Sequence, residues 1–132
     1  MFNTQFDNSQ PIYLQVINEI KKALVRGDLS PGDKLPSQRD LATLLKINPN
    51  TIQRAYRDME LIGIVETLRG QGTFLKQGDN VVETMRNEMV SCLVEEFILQ
   101  MKSLGCDDEG IVSVVSTKVT EVHAPKQSSK LK

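Results

Sequence analysis

LPSQRDLATLLKINPNTIQRAYRDMELIGIVETLRGQGTFL, residues 35 to 75, decides the fold, because several local signals follow one another in it without a gap. Its centre, residues 49–62, sorts into two opposed faces when turned at about 100° per residue. Ile52, Ala55, Tyr56 and Met59 gather on one side, which can bury. Asn50, Gln53, Arg54 and Arg57 gather on the other, each with a donor long enough to reach a base edge or a phosphate. No acid interrupts that face, since Asp58 and Glu60 fall to its flank and toward its C-terminal end. A solvated polar face is the other reading, because charge patterning alone is a weak guide.

The flanking residues favour the first reading. Ser37, followed three positions later by Asp40, resembles a capping box, and Leu41, Leu44 and Leu45 supply a core stripe for a short helix. Arg39 projects from that helix's first turn. Lys46-Ile47-Asn48 makes a three-residue turn, after which Asn48 can cap and Pro49 can occupy the first helical position, where a missing N–H costs nothing. Beyond the second helix Gly63 is a C-terminal stop. Ile64 to Leu68 and Thr73 to Leu75 have strand character, and Arg69-Gly70-Gln71-Gly72 joins them. Two glycines there allow backbone conformations closed to other residues and a close approach to phosphate. Helix, tight turn, helix and glycine-tipped hairpin together make a winged helix-turn-helix, so the expected ligand is double-stranded DNA. The candidate DNA-binding residues are Ser37, Arg39, Asn48, Asn50, Thr51, Gln53, Arg54, Arg57, Arg69, Gly70, Gln71 and Gly72.

This run resembles the GntR family of bacterial transcription regulators, through its Leu-Pro-Ser-x-Arg-x-Leu-Ala start and Gly-x-Gly-Thr-Phe wing. Pro11-Ile12-Tyr13-Leu14-Gln15, the Asn-Pro-Asn-Thr before the second helix and the short C-terminal region look most like its YtrA subfamily. The resemblance covers residues 11 to about 76. It implies that Arg39 reads bases, that Asn50, Thr51 and Gln53 lie at or beside base edges, that Arg69 and Gly70 serve the minor groove, and that Ser37 and Arg57 contact phosphates. It also implies a homodimer and control of a transporter operon. Two positions depart from the family pattern: Lys46 stands where many members have glycine, and Pro49 where many have a basic residue. Proline cannot donate a hydrogen bond, so one contact made elsewhere in the family is expected to be missing.

Upstream, Pro11 opens a first helix whose Ile12, Val16, Ile20 and Leu24 recur every four residues and end before Gly27. Ser30-Pro31-Gly32-Asp33 is a turn, and Lys34-Leu35 can add a minimal strand to the wing. Downstream, Gln77-Gly78-Asp79-Asn80 reads as a hinge. Val82, Met85, Met89, Leu93, Phe97, Met101 and Leu104 then follow a 3/4 spacing, flanked by Val90, Val94 and Ile98, with Gly105 as the stop. From Asp107 a last segment places Val112, Val115, Val119 and Val122 on one helical face, although its valines and threonines also permit a strand. Two helices cannot enclose so much apolar surface, and burial at about 25 cal/mol per Å² favours pairing with a second copy. Folding back on the winged domain of the same chain is the alternative, methionine-rich stripes being usually core. The expected dimer interface comprises Met85, Met89, Leu93, Phe97, Met101, Val115 and Val119.

The 132 residues carry a net charge of −1, which is no strongly basic footprint. Residues 1–77 hold ten Lys/Arg against eight Asp/Glu, and residues 78–132 hold six against nine, so what positive charge there is sits with the winged half. Cys92 and Cys106 form no Cys-x-x-Cys pattern and the single His123 lies near the tail, so no metal, redox or cofactor site is expected. Neither a signal peptide nor an apolar run of spanning length is present, which points to a cytoplasmic protein with no membrane partner. No nucleophile–base pair suggests an enzyme. The expected class is mainly α (α+β): a flexible arm at 1–10, a winged helix-turn-helix at 11–77, a helical dimerisation region at 78–124 and a disordered tail at 125–132. The expected function is a homodimeric DNA-binding regulator, more readily a repressor than an activator, on a two-fold symmetric operator. The alternative is a winged helix used as a protein-interaction module without specific DNA binding. A small-molecule effector is open; it would bind at the hinge or the dimer interface and change the separation of the recognition helices.

Overall fold

The computed structural model describes residues 5–123, which form α1 (Ile12–Arg26), α2 (Gln38–Leu45), α3 (Pro49–Ile62), β1 (Val65–Leu68), β2 (Gly72–Leu75), α4 (Val81–Ser103) and α5 (Asp108–His123). These elements belong to two compact units whose boundary falls inside α4, between Asn87 and Glu88. The expected tail at 125–132 and the first four residues of the expected arm lie outside the described residues.

The N-terminal unit is organised around α3. Its inner residues Ile52, Ala55, Tyr56 and Met59 are all buried, and α1, α2 and β1 each pack against it. From α1 come Val16, Ile17, Ile20, Ala23 and Leu24, a stripe at helical spacing that ends where Gly27 turns left-handed at φ 91° and donates its N–H to the Leu24 carbonyl. In the first turn of α1, Gln15 holds the preceding chain back on the helix: its Nε2 donates to the Asp7 and Gln10 carbonyls at 2.7 and 3.0 Å, and its Oε1 accepts the Asp7 N–H at 3.1 Å.

At the start of α2 the Ser37 hydroxyl oxygen accepts the Asp40 N–H at 3.1 Å, which satisfies one of the helix's orphan donors. Leu41, Ala42 and Leu45 are buried, but Leu44 is 60% exposed and does not belong to the core stripe expected for it. Ala42 takes the place on the buried arc instead, and at 100° per residue Leu44 falls about 110° from the centre of that arc. Lys46 closes α2 in the left-handed region at φ 57°, ψ 47°. The Asn48 side chain then accepts the Asn50 N–H at 2.8 Å, and Pro49 takes the first helical position of α3.

The wing is a two-stranded antiparallel hairpin with Val65 opposite Leu75 and Leu68 opposite Gly72. Its turn closes through the Gln71 N–H donating to the Leu68 carbonyl at 2.9 Å, with Gly70 at φ 80°, the sign a type II turn requires at its third residue. Lys34 adds a single bridge opposite Phe74, and the Leu35 N–H donates to the Thr73 carbonyl at 2.8 Å, so the expected minimal third strand is one bridge long. The first turns of α4 join this unit: Met85 is buried, and Arg86 donates to the Val25 carbonyl at the end of α1 while pairing with Glu83, both at 2.8 Å.

In the C-terminal unit the remainder of α4 runs to a left-handed Gly105 at φ 90°. The last segment is a helix, not a strand. Asp107 caps it by accepting the Gly110 N–H at 2.8 Å, and Asp108 and Glu109 set negative charge on its positive end, which outweighs the modest helix aversion of its valines. Ile111 is buried, whereas Leu93, Val94, Phe97, Leu99, Val112, Val115 and Val119 are exposed. The side chain of Val122 lies outside the described residues.

Candidate nucleic-acid interface

Burial of Ile52, Tyr56 and Met59 fixes which way α3 faces, and the opposite face follows from it. Asn50, Gln53, Arg54 and Arg57 are all exposed, as are Asn48, Arg39, Arg69, Gly70 and Gln71. Gln53, Arg39, Arg57 and Arg69 make no hydrogen bond or ion pair with the described residues, so their donors remain for a ligand. Asn48 has spent its side-chain oxygen on capping, which leaves its amide N–H₂.

Two open grooves gather part of the set. One, of about 270 Å³, is lined by Asn50, Thr51 and Arg54 from the start of α3 and by Ile12 and Tyr13 from the start of α1. The other, of about 710 Å³, lies between the beginning of α2 and the wing; Ser37, Gln38 and Asp40 line it on one side, Gly72 and Thr73 on the other, with Lys34, Leu35 and Pro36 between. Gly72 sits at φ 126°, and a Cβ there would lie 2.7 Å from Cε of Lys34, so the lysine chain is laid directly across the hairpin. Arg39, Gln53, Arg57, Arg69, Gly70 and Gln71 line neither groove.

The position of α2 relative to α3 depends on one buried phenol. Tyr56 donates its hydroxyl proton to the Pro36 carbonyl at 2.6 Å, tying α3 to the residue before the α2 cap and so to Arg39. Burial, and after it the nearby Asp40 carboxylate, push its ionisation well above the ordinary phenol range, which keeps it a donor throughout the physiological range.

Three contributors escape a reading of the sequence by periodicity. Tyr13 holds Arg54: the guanidinium carbon sits 3.9 Å from the ring centroid, and Nη2 donates to the phenol oxygen at 3.1 Å. The two residues are 41 positions apart, and only the Pro11–Gln15 motif marks Tyr13 at all. Lys34 reads as a strand residue but places a cation beside the wing. Tyr56 reads as core, and its hydroxyl bond leaves no periodic trace.

Of the residues marked for a dimer interface, Met85 is buried within the chain itself and Met89 and Met101 are half-buried. Leu93 at 68% exposure, Phe97, Val115 and Val119 remain open. Cys92 and Cys106 are free thiols, and among the described residues no His, Cys, Asp or Glu cluster suited to a metal ion is present. No helix among them is long and apolar enough to cross a membrane.

Comparison with known proteins gives a consistent answer. A family model described as bacterial regulatory proteins, gntR family, matches residues 12–75. The chain is 47% identical over 115 residues to the uncharacterised HTH-type transcriptional regulator YhcF of Bacillus subtilis, covering 87% of this chain and 95% of that protein. It is 50% identical over 70 residues to the HTH-type transcriptional repressor YtrA of the same organism, a match that spans 53% of this chain and 54% of YtrA. Among solved structures, a GntR family transcriptional regulator from Listeria monocytogenes aligns with a TM-score of 0.78 at 42% identity, over 85% of this chain and 98% of that one.

Proposed function

This chain belongs to the GntR family of bacterial regulatory proteins and is a DNA-binding transcription regulator with a winged helix; from that premise we propose that it is a homodimeric cytoplasmic repressor of a two-fold symmetric operator. The observation that carries this reading is the split of α3, whose inner residues are buried while Asn50, Gln53 and Arg57 stand exposed on a face free of acids. In the proposed complex α3 enters the major groove, Asn50, Thr51 and Gln53 meet base edges, and Arg39 reads bases from the start of α2. Arg69 and Gly70 carry the wing to the flanking minor groove. Ser37 and Arg57 hold phosphates, which supply most of the affinity while base contacts supply most of the discrimination.

Dimerisation through α4 and α5 is supported by their open apolar residues, Leu93, Phe97, Val115 and Val119 above all. Surface of that extent on a small chain is stabilised by a partner at about 25 cal/mol per Å². Two copies related by a two-fold axis would present two α3 helices to half-sites about one helical turn apart. Covering a promoter in this way represses it, and the relative YtrA is itself named a transcriptional repressor.

Selection from random duplex DNA with the purified chain tests the reading. Enrichment of an inverted repeat with half-site centres about 10 bp apart, or a multiple of it, is expected. An enriched site without symmetry overturns the dimer, and no enrichment at low or physiological salt returns the winged unit to a protein-interaction role.

A further inference from the structure

We propose that Tyr13 and Arg54 act as one DNA-phosphate clamp, in which α1 supplies a phenolic donor and fixes the arginine beside it; the proposal rests on the DNA-binding reading above. Arg54 belongs to the polar face of α3, yet it does not reach outward as Gln53 and Arg57 can. Its guanidinium carbon lies over the Tyr13 ring, 3.9 Å from the centroid, and Nη2 spends one proton on the phenol oxygen at 3.1 Å. An arginine that reads a guanine must extend to the floor of the major groove with both donors of its fork free. Arg54 is drawn back to the flank of α3 instead, which suits a contact to the backbone of the duplex.

The hydrogen-bond directions leave the pair complementary to an anion. Because the phenol oxygen accepts from Arg54, its own proton is directed elsewhere, and no described residue accepts it. The guanidinium retains its other N–H groups, for which no described residue is an acceptor. Both groups line the groove shared with Asn50 and Thr51, so an oxygen bound between them adjoins the base-reading end of α3. A phosphodiester carries one negative charge and two unesterified oxygens, enough to accept from guanidinium and phenol together. Stacking on the ring also removes much of the arginine's conformational freedom before DNA arrives, so less is lost on binding.

The experiment measures affinity and salt dependence for two duplexes of equal length, the sequence enriched by the wild-type chain and a scrambled one. Tyr13→Phe keeps the ring and loses the hydroxyl. It should weaken both duplexes by a similar factor of about ten, the size of one hydrogen bond to a charged group, with an unchanged slope of log K against log salt and an unchanged melting temperature. Arg54→Ala should weaken both at least as much and lower the slope by about one, and Arg54→Lys should restore the slope but not the affinity. Tyr13→Phe added to Arg54→Ala should cost no more than about twofold further, since the clamp is already broken. Wild-type affinity in Tyr13→Phe, fully multiplicative losses, or a loss confined to the enriched duplex each overturns the clamp while leaving DNA binding intact. Failure of the wild-type chain to enrich any sequence removes the DNA-binding reading itself, and the clamp with it.

Discussion

The winged unit and the C-terminal helices spend similar apolar residues in opposite ways. In the first, Ile20, Leu41, Ile52, Met59, Val65 and Leu75 are closed off completely by neighbours within the same chain. In the second, Leu93 is 68% and Leu104 79% exposed, and among the described residues α4 and α5 share none of the close packing that α3 makes with α1, α2 and β1. Apolar periodicity in a sequence therefore says that a face will be covered, and not by what. A helix with one narrow apolar stripe closes on its own domain; α4, whose apolar residues spread well beyond one stripe, asks for more neighbours than one chain provides.

The contrast breaks most visibly if the second region can be made polar without harm to the first. Leu93→Glu combined with Phe97→Glu should convert the proposed dimer to monomers in sedimentation and cost a hundredfold or more in operator affinity, roughly 3–5 kcal/mol, as two linked half-site contacts become independent. Helical signal and melting of the winged unit should hardly change. A persistent dimer would place the interface elsewhere. The mirror experiment, Met59→Ala, truncates a fully buried side chain at the centre of α3 and should destabilise by about 2–5 kcal/mol, independent of protein concentration. Concentration-dependent melting of that variant alone would show that the two regions are not energetically separate.

How far each region was legible follows from the range of the forces that shape it. Caps, stops and the wing are local: Ser37 to Asp40, Asn48 to Asn50, Gly63 and the Gly70 turn are written within a few residues, and the sequence reading places them where the structure does. Leu44 was misplaced because eight residues give two turns, too few to tell a three-residue from a four-residue neighbour on the buried arc. The α5 segment was ambiguous because its valines and threonines suit both states, and the Asp107 cap decides between them. Tyr13 on Arg54 and Tyr56 on Pro36 join distant positions through single polar atoms, for which periodicity carries no signal.

Within the winged unit, residues that touch a ligand and residues that hold the shape should separate by assay. Arg39→Ala should cost about 1–3 kcal/mol on the enriched operator and relax preference at its base, with little change in melting; unchanged preference would remove its reading role. Tyr56→Phe should do the reverse, losing roughly 1–2 kcal/mol of stability because the Pro36 carbonyl loses its donor. Its pH dependence has a definite sign. The folded phenol ionises at higher pH than the unfolded one, so its contribution is complete below the unfolded pKa, about 10, and falls as pH rises through the folded value. The stability gap between wild type and Tyr56→Phe should accordingly narrow only above about pH 10.

The smallest expected effect has the opposite direction. Lys46 holds φ 57°, ψ 47°, a left-handed conformation that places its Cβ against the following carbonyl and costs an L-residue roughly 1–2 kcal/mol. Glycine escapes that strain but gives back up to about 1 kcal/mol through its freer unfolded chain, so Lys46→Gly should stabilise by a net ~0.5–1 kcal/mol. The substitution also removes an exposed cation from the turn between α2 and α3. If Lys46 is retained for phosphate contact, the glycine variant will melt higher yet bind all duplexes more weakly with a salt slope lower by about one. If it makes no phosphate contact, stability rises and binding stays as it was. A variant that melts lower would mean that the turn is held by the lysine side chain and not merely strained around it.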